Sequence, residues 1–266
     1  SYGGAKRRLD PKTVKWKRPV GTLEVEVLDE GGRPTQARIQ GMAADGKFYA
    51  PTGTYSRIGF YGEHFFHTAG RSRIHVPAGP VQLTAIKGFE YWPGSGRAEV
   101  REGATARLTI RLKRMQNTTA RNWHSGSTHV HMNYGGNLRN TLENLIFMSK
   151  AEGQDVVNEL VANKDNRILD WMYFVPGGGE HPVSQGDPSI ALLVGEEYRP
   201  PFYGHVFYLG LKNNLISPFT TGYEGTGIES LYPSNTDMFR KAKAQGAVTG
   251  YVHPHSGERD PLRSEE

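Results

Sequence analysis

The residues best suited to chemistry in this chain are a His-x-His pair, His129 and His131 on either side of Val130. In an extended segment alternate side chains point to the same face, so both imidazoles are expected on one side of a strand, about 7 Å apart along the backbone. Two imidazoles on one face are a common beginning of a transition-metal site. The meaning of the pair therefore depends on further ligands downstream.

Candidate partners follow two later apolar segments. Glu196 and Glu197 come directly after the segment 189–195, and His253 comes directly after the segment 247–252. In barrels and open parallel sheets, the residues that do chemistry gather at the carboxyl ends of strands. The sequence thus places ligand-type residues where three strand ends are expected to meet.

These residues predict a site for Zn, Mn or Fe, because imidazole and carboxylate together suit such ions better than calcium. The predicted metal ligands are His129, His131, Glu197 and His253. Glu196 takes the place of Glu197 if the strand is shifted by one residue. His255 joins His253 if the chain stays extended there, although a solvated loop histidine fits that position equally well.

The two halves of the chain have different patterns. Residues 21–113 contain short alternating strands separated by turns, which is typical of a small antiparallel β-sandwich. The later half alternates apolar strands with helical patterns, which predicts an α/β domain with a largely parallel sheet. The expected domains are a basic tail at 1–20, a sandwich at 21–114, a linker at 115–121 and an α/β domain at 122–266.

Two helices are predicted in the second half. The first covers 140–150, with Asn140 as its N-cap. The second begins at Ser234, with Asp237 three residues later in a pattern close to a capping box.

Composition excludes several functional classes. The chain has 266 residues and no cysteine, so thiolate metal sites and disulfides are ruled out. No apolar run approaches the length of a membrane span. The net charge is +5, and seven basic residues lie within the first 18 positions. We read this segment as a solvated tail and expect no nucleic-acid partner.

The first half resembles the carboxypeptidase regulatory-like (transthyretin-like) domain. The matching segments are Val27-Leu28-Asp29, Gly32-Arg33-Pro34, the Asp45-Gly46 turn and Val76-Pro77-Ala78-Gly79-Pro80-Val81. The resemblance implies an accessory or scaffolding module without chemistry of its own.

The second half resembles the PHP (polymerase and histidinol phosphatase) superfamily, in particular the branch that includes carbaryl hydrolase. The matching motifs are Gly126-x-x-His129-x-His131, Gly195-Glu196-Glu197, Gly204-His205 and Tyr251-Val252-His253-Pro254. The resemblance implies a distorted (β/α)7 barrel with two or three divalent metal ions. It also implies an activated water that attacks phosphate esters or, in this branch, ester and amide bonds.

The same resemblance implies a role for each residue. His129 and His131 are first-motif ligands, Glu197 binds or bridges metal ions, and His253 is a later ligand. His205 is a ligand or contacts substrate.

The chain departs from the family pattern at several points. Ser127 stands where family members carry Asp. A Thr-Asp-His motif is missing after the next strand, which leaves Asn163 or Asp165 as substitutes, and the closing Asp-x-His motif is missing too. The segment 122–266 is short for a barrel of about 250 residues, so we expect this chain to be the N-terminal part of a longer protein.

Together these observations predict a periplasmic or extracellular metal-dependent hydrolase acting on an ester, amide or phosphoester bond of a small molecule. Two or more metal ions are expected in the complete protein, with Glu197 and His205 as catalytic residues. Tyr198, Arg199 and Tyr203 flank the predicted site and are candidates to orient substrate. The alternative is a non-catalytic binding or structural protein on a degenerate PHP-like scaffold, which the departures from the family pattern favour.

Overall fold

The structure is a computed structural model and describes residues 17–59, 61–133, 140–164, 167–200, 203–216 and 232–253, with backbone only at Asn163, Lys164 and Arg167. The chain divides into two compact units, Ser1–Asn117 and Thr118–Glu266. The strands of the first unit are β1 (Val20–Leu28), β2 (Ala37–Met42), β3 (Arg57–Ile58), β4 (His64–Thr68), β5 (Arg71–Pro77), β6 (Gly79–Ile86), β7 (Tyr91–Trp92), β8 (Gly94–Val100), β9 (Thr105–Arg111) and β10 (Lys113–Arg114). The second unit contains β11 (Gly126–Val130), α1 (Leu142–Ala151), β12 (Val156–Lys164), β13 (Arg167–Leu169), β14 (Ala191–Tyr198), β15 (Val206–Leu209), α2 (Asn235–Ala244) and β16 (Val248–Tyr251).

The first unit consists of two sheets around one apolar core, with a short β7–β10 ribbon in addition. One sheet has the order β5-β1-β9 and the other the order β3-β4-β2-β6-β8. Leu23 and Ile110 from the first sheet and Ile39, Phe66 and Leu83 from the second belong to the same buried cluster. The β1–β9 pair is parallel, which departs from the wholly antiparallel sandwich expected from sequence.

The second unit is built on one mixed sheet of order β11-β12-β14-β15-β16, with β13 paired to β12. Strands β11, β12 and β14 run parallel, whereas β15 is antiparallel to both β14 and β16. Four strands therefore run in one direction, and the start of β15 lies at the edge where they end.

Both helices pack on one face of this sheet, which we call the helix face. Leu142 and Leu145 of α1 join the buried cluster that contains Val157 of β12. Met238 of α2 packs with Tyr208 of β15. The opposite face, which we call the cluster face, carries the predicted ligands.

The helix boundaries test two sequence predictions. Ser234 caps α2 in a reciprocal capping box with Asp237, as predicted. The predicted N-cap of α1 was wrong by one residue, because Thr141 accepts the hydrogen bond from the backbone N–H of Asn144. Asn140 instead is buried and accepts a hydrogen bond from the Asn144 side chain.

The predicted (β/α)7 barrel is wrong. The described part of the second unit contains two helices and an open mixed sheet, rather than repeated strand–helix pairs around a closed parallel barrel. Only seven residues, 199–205, join β14 to β15, and so short a connection suits an antiparallel neighbour. The apolar strands had suggested a largely parallel sheet.

A second carboxylate, Glu159 of β12, lies buried on the helix face. It is fully buried, and its carboxyl group lies next to that of Asp170. Burial and the nearby charge of Asp170 raise the pKa of Glu159 well above its ordinary value. Glu159 therefore keeps its proton to a higher pH in the folded chain than in the unfolded chain.

We predict that Glu159→Gln makes the unfolding free energy less dependent on pH. The raised folded-state pKa contributes its full stabilisation only below the ordinary pKa of Glu. As pH rises from there towards the folded-state pKa, the unfolding free energy of wild type falls by up to about 1.4 kcal/mol per pH unit. The amide stays neutral, so the variant should be more stable than wild type at about pH 8 and closer to it at about pH 5. Urea unfolding of wild type and variant at several pH values in this range measures the two unfolding free energies.

Glu143→Gln is the matched control, because Glu143 is exposed in the same unit and its pKa is lowered. Its effect should not vary with pH above about pH 5. If the unfolding free energies of Glu159→Gln and wild type depend equally on pH, the raised pKa of Glu159 is contradicted.

Candidate metal centre

A β-bulge in β11 decides which way the His-x-His pair points. Ser127 pairs with Val157, but the next paired residue, Val130, lies opposite Glu159, so β11 contains one extra residue. Val130 consequently packs against the α1 core. The alternation of side chains then places its neighbours, His129 and His131, on the cluster face.

The register of β14 distinguishes the two adjacent glutamates. Both lie inside the strand, not after its end as expected from sequence. Glu196 pairs with Val161 and points to the helix face, where it accepts a hydrogen bond from the backbone N–H of Ile216 at 2.8 Å. Glu197 pairs with Ala162 and points to the cluster face. The one-residue shift that would have exchanged their roles does not occur.

The other two histidines come from the β15 and β16 side of the sheet. His205 directly precedes β15, and His253 lies two residues beyond the end of β16. Because β15 runs against its neighbours, its beginning lies beside the carboxyl ends of β14 and β16. The fold thereby brings both residues to Glu197.

The result is a histidine cluster, consisting of His129, His131, His205 and His253 around Glu197. Oε2 of Glu197 lies 3.3 Å from Nε2 of His129 and 2.6 Å from Nε2 of His131. Oε1 lies 3.0 Å from Nδ1 of His205 and 3.5 Å from Nε2 of His253. The Glu197 side chain is only 2% exposed, whereas that of His253 is 39% exposed.

The spacing of the donor atoms fits a small divalent ion. Four ligands about 2.0–2.1 Å from a tetrahedral zinc ion lie about 3.3 Å from one another. The Nε2 atoms of His129 and His131 are 3.0 Å apart, and His129, Glu197 and His253 have ligand atoms within 4.8 Å of one another.

The histidines control the charge of Glu197. Burial raises the pKa of this carboxyl, but hydrogen bonds from His129, His131 and His205 outweigh burial and hold the pKa well below its usual range. Glu197 is therefore ionised in the folded protein, as a metal ligand must be.

His131 is oriented by a backbone carbonyl behind it. Its Nδ1 lies 2.9 Å from the carbonyl oxygen of Leu160, and a carbonyl only accepts, so Nδ1 carries the proton. Nε2 is therefore the nitrogen that faces Glu197 and His129, and the one that a metal ion can bind. Metal-binding histidines commonly donate their outer N–H in this way.

His253 has a strained backbone. Its φ of 35° lies in the left-handed region, which costs a non-glycine residue about 1–3 kcal/mol. Strain of this kind concentrates at functional sites, and here it accompanies the meeting of His253 with Glu197. Its ring also stacks on His129, with centroids 5.6 Å apart.

Not every residue suggested by sequence joins the site. Tyr198 is fully buried in the α2 core and therefore has no role on the cluster face. Arg199 reaches His205, and the Tyr203 backbone carbonyl accepts a hydrogen bond from Asn235. Pro254, His255, Asp165 and the side chain of Asn163 lie outside the described residues.

Sequence reasoning missed the Leu160 carbonyl and the Asn235 side chain. A carbonyl has no residue-type signature, so no sequence signal identifies it. Asn235 follows the capping residue Ser234, which explains its position in the helix but gives no sign of its distant hydrogen bonds.

Comparisons with known proteins give no family for the chain. No protein-family model matches it, and no curated protein does. Among solved structures, GBS52, the minor pilin of Streptococcus agalactiae, shares 17% identity over 38% of this chain and 47% of that chain, with a TM-score of 0.30. The Bacillus anthracis TIE protein shares 17% identity over 36% of this chain and 17% of that chain, with a TM-score of 0.27. A DUF3823 family protein from Parabacteroides merdae shares 15% identity over 37% of this chain and 48% of that chain, with a TM-score of 0.23.

The chain thus spans less than half the length of these structures, and similarity at such scores carries no argument about function. None of the described helices has the length and apolar character that a membrane span requires.

The assignment to the PHP superfamily is wrong, and the hydrolase classification taken from it has no support. No family model matches, and the described second unit is an open mixed sheet with two helices, not a closed (β/α)7 barrel. The carboxypeptidase regulatory-like assignment likewise has no matching family model. The motifs behind both resemblances are short, and short motifs recur on unrelated scaffolds.

We predict that Gly195→Ala destabilises the second unit and disturbs the cluster. A methyl group at Gly195 would lie 2.6 Å from the backbone oxygen of Tyr208 and 2.9 Å from a Leu160 methyl carbon. The oxygen belongs to the paired strand, so β14 and β15 must separate next to Glu197. The unfolding free energy is expected to fall by about 1–3 kcal/mol, which urea unfolding measures.

Val248→Ala serves as the control, because Val248 is 65% exposed in the same sheet. This substitution should lower the unfolding free energy by less than about 1 kcal/mol. A Gly195→Ala protein as stable as wild type would refute the tight β14–β15 contact.

Proposed function

We propose that the second unit binds one divalent transition-metal ion, Zn, Mn or Fe, on its described residues. The ligands are His129, His131, Glu197 and His253. The observation that carries the proposal is the convergence of imidazoles on a single buried carboxylate. Imidazole nitrogen and carboxylate oxygen together favour these ions over calcium or magnesium.

A structural ion pair is a poorer account of this arrangement. One cationic partner is enough to neutralise a buried carboxylate, and Arg is the usual residue for that purpose. Glu197 instead has four histidines around it, and they come from three separate strand ends. Bringing several imidazoles together is unfavourable when they are charged, but they form a suitable ligand set when neutral.

The outer contacts of the cluster support the same function. The Leu160 carbonyl orients His131 with its Nε2 turned inward. An oriented imidazole and an ionised carboxylate are the groups that bind metal.

We predict that the wild-type chain binds close to one equivalent of Zn²⁺ after removal of metal by a chelator. The double variant His129→Ala/His131→Ala should lose this binding, because it removes two of four ligands. Equilibrium dialysis followed by elemental analysis measures the stoichiometry.

The matched control is His64→Ala/His75→Ala, which removes two exposed histidines from the first unit. It should bind as wild type does. Failure of wild type to bind Zn²⁺, Mn²⁺ or Fe²⁺ would overturn the proposal, and so would full binding by the His129/His131 variant.

Metal-dependent hydrolysis is a second candidate function, supported by the geometry and not by the family resemblance. The exposed side of the cluster at His253 gives a small molecule access to the proposed ion. A bound ion with an open position supplies a water whose pKa is lowered towards neutrality.

We predict slow, metal-dependent cleavage of p-nitrophenyl ester, anilide or phosphoester substrates. The chelated protein should be inactive, and added metal should restore the rate. Glu197→Gln should reduce the rate by at least about 100-fold, because it removes the charged ligand. Stoichiometric metal without turnover on any of these substrates would instead favour a non-catalytic metal-binding protein.

We propose a periplasmic or extracellular location for the chain. Fractionation of the source cells, with the chain detected by antibody, tests this location.

A further inference from the structure

We infer that Arg199 fixes the tautomer of His205, which makes His205 a hydrogen-bond donor to Glu197 and not a metal ligand. The importance of this inference for metal binding rests on the proposed function. The tautomer itself is a property of the protein without metal.

The argument begins at the outer nitrogen of His205. Nε of Arg199 lies 3.4 Å from Nε2 of His205 with donor geometry. A guanidinium has donors and no acceptor, so Nε2 of His205 must accept. In a neutral imidazole the other nitrogen then carries the proton.

The inner nitrogen of His205 has the partner that this tautomer requires. Nδ1 lies 3.0 Å from Oε1 of Glu197, and the ionised carboxylate only accepts. The three residues therefore form a directed chain of hydrogen bonds, from Arg199 to His205 and from His205 to Glu197.

His131 provides the contrast. Its outer nitrogen donates to the Leu160 carbonyl, so its inner nitrogen is the one that a metal ion can bind. The outer partner of His205 is a donor, so its inner nitrogen presents a proton. The two outer partners thus assign opposite roles to two histidines that contact the same carboxylate.

The backbone around His205 is held in place independently of Arg199. The backbone N–H of Val252 donates to the His205 carbonyl at 3.1 Å. The buried Asn235 side chain donates to the carbonyls of Tyr203 at 2.7 Å and Gly204 at 3.2 Å. Loss of the Arg199 side chain should therefore change the proton position on His205 without displacing the residue.

This arrangement affects how Glu197 binds an ion. Oε1 is occupied by the His205 proton, which leaves Oε2, beside His129 and His131, to bind the metal. His205 is then a positioning residue, and loss of such an outer partner typically weakens metal binding about 10- to 100-fold.

The test is ¹⁵N–¹H long-range correlation NMR of the histidine side chains in the full chain, with metal removed by chelator. Wild type should show His205 with a protonated Nδ1 and an accepting Nε2. In Arg199→Met only Glu197 still favours the proton on Nδ1, so a larger fraction of His205 should carry it on Nε2, while His131 stays unchanged as an internal reference. The matched control is Arg240→Met, because Arg240 is exposed and pairs only with Asp237 among the described residues.

A second measurement uses Zn²⁺. The His131 Nε2 signal should shift on binding, whereas His205 should keep the proton on Nδ1. Arg199→Met should weaken Zn²⁺ binding about 10- to 100-fold without changing its stoichiometry, and circular dichroism checks that the variant is folded.

The inference is overturned if His205 carries its proton on Nε2 in wild type, if Arg199→Met leaves its tautomer unchanged, or if Zn²⁺ displaces the proton from Nδ1. The first two results come from the protein without metal. They can therefore be distinguished from a failure of the proposed function, in which wild type binds no metal.

Discussion

The second unit depends on how it accommodates the buried negative charge of Glu197. Removing a carboxylate from water costs several kilocalories per mole unless polar partners replace the solvent. The partners of Glu197 come from residues before β15, at the end of β11 and beyond the end of β16. Strands that are far apart in sequence must therefore be in register for one carboxylate to be satisfied. The same requirement assembles the proposed ligands at one edge of the sheet.

The sheet separates structural from chemical roles by its two faces. Both helices cover the helix face, where Tyr208 and Val157 are buried. The cluster face carries the histidines and Glu197. The bulge in β11 is essential to this division, because without the extra residue Val130 would leave the α1 core and the His-x-His pair would point into it. Glu196 and Glu197 illustrate the same rule. Glu196 accepts a hydrogen bond from a backbone N–H on the helix face, whereas Glu197 contacts the histidines on the cluster face.

Sequence reasoning identified several parts of this arrangement from residue type and local pattern. The capping box at Ser234 is a local signal and fixed the start of α2 correctly. The His-x-His pair and Glu197 were selected as ligand-type residues near apolar strands, and the structure brings them together. The barrel was wrong because a strand's neighbours are not encoded in its own sequence. β15 has only four residues, and so short a pattern gives no sign of strand direction. Its antiparallel insertion changed the architecture.

The sequence by itself determined the chemical types available and the period-two alternation that puts His129 and His131 on the same face. Those properties depend only on side-chain chemistry and local backbone geometry. Tertiary structure alone decided which glutamate meets the histidines, which nitrogen of His131 faces inward, and that Arg199 reaches His205. Each of these depends on strand register or on a backbone carbonyl distant in sequence, and such contacts exist only once the sheet has formed.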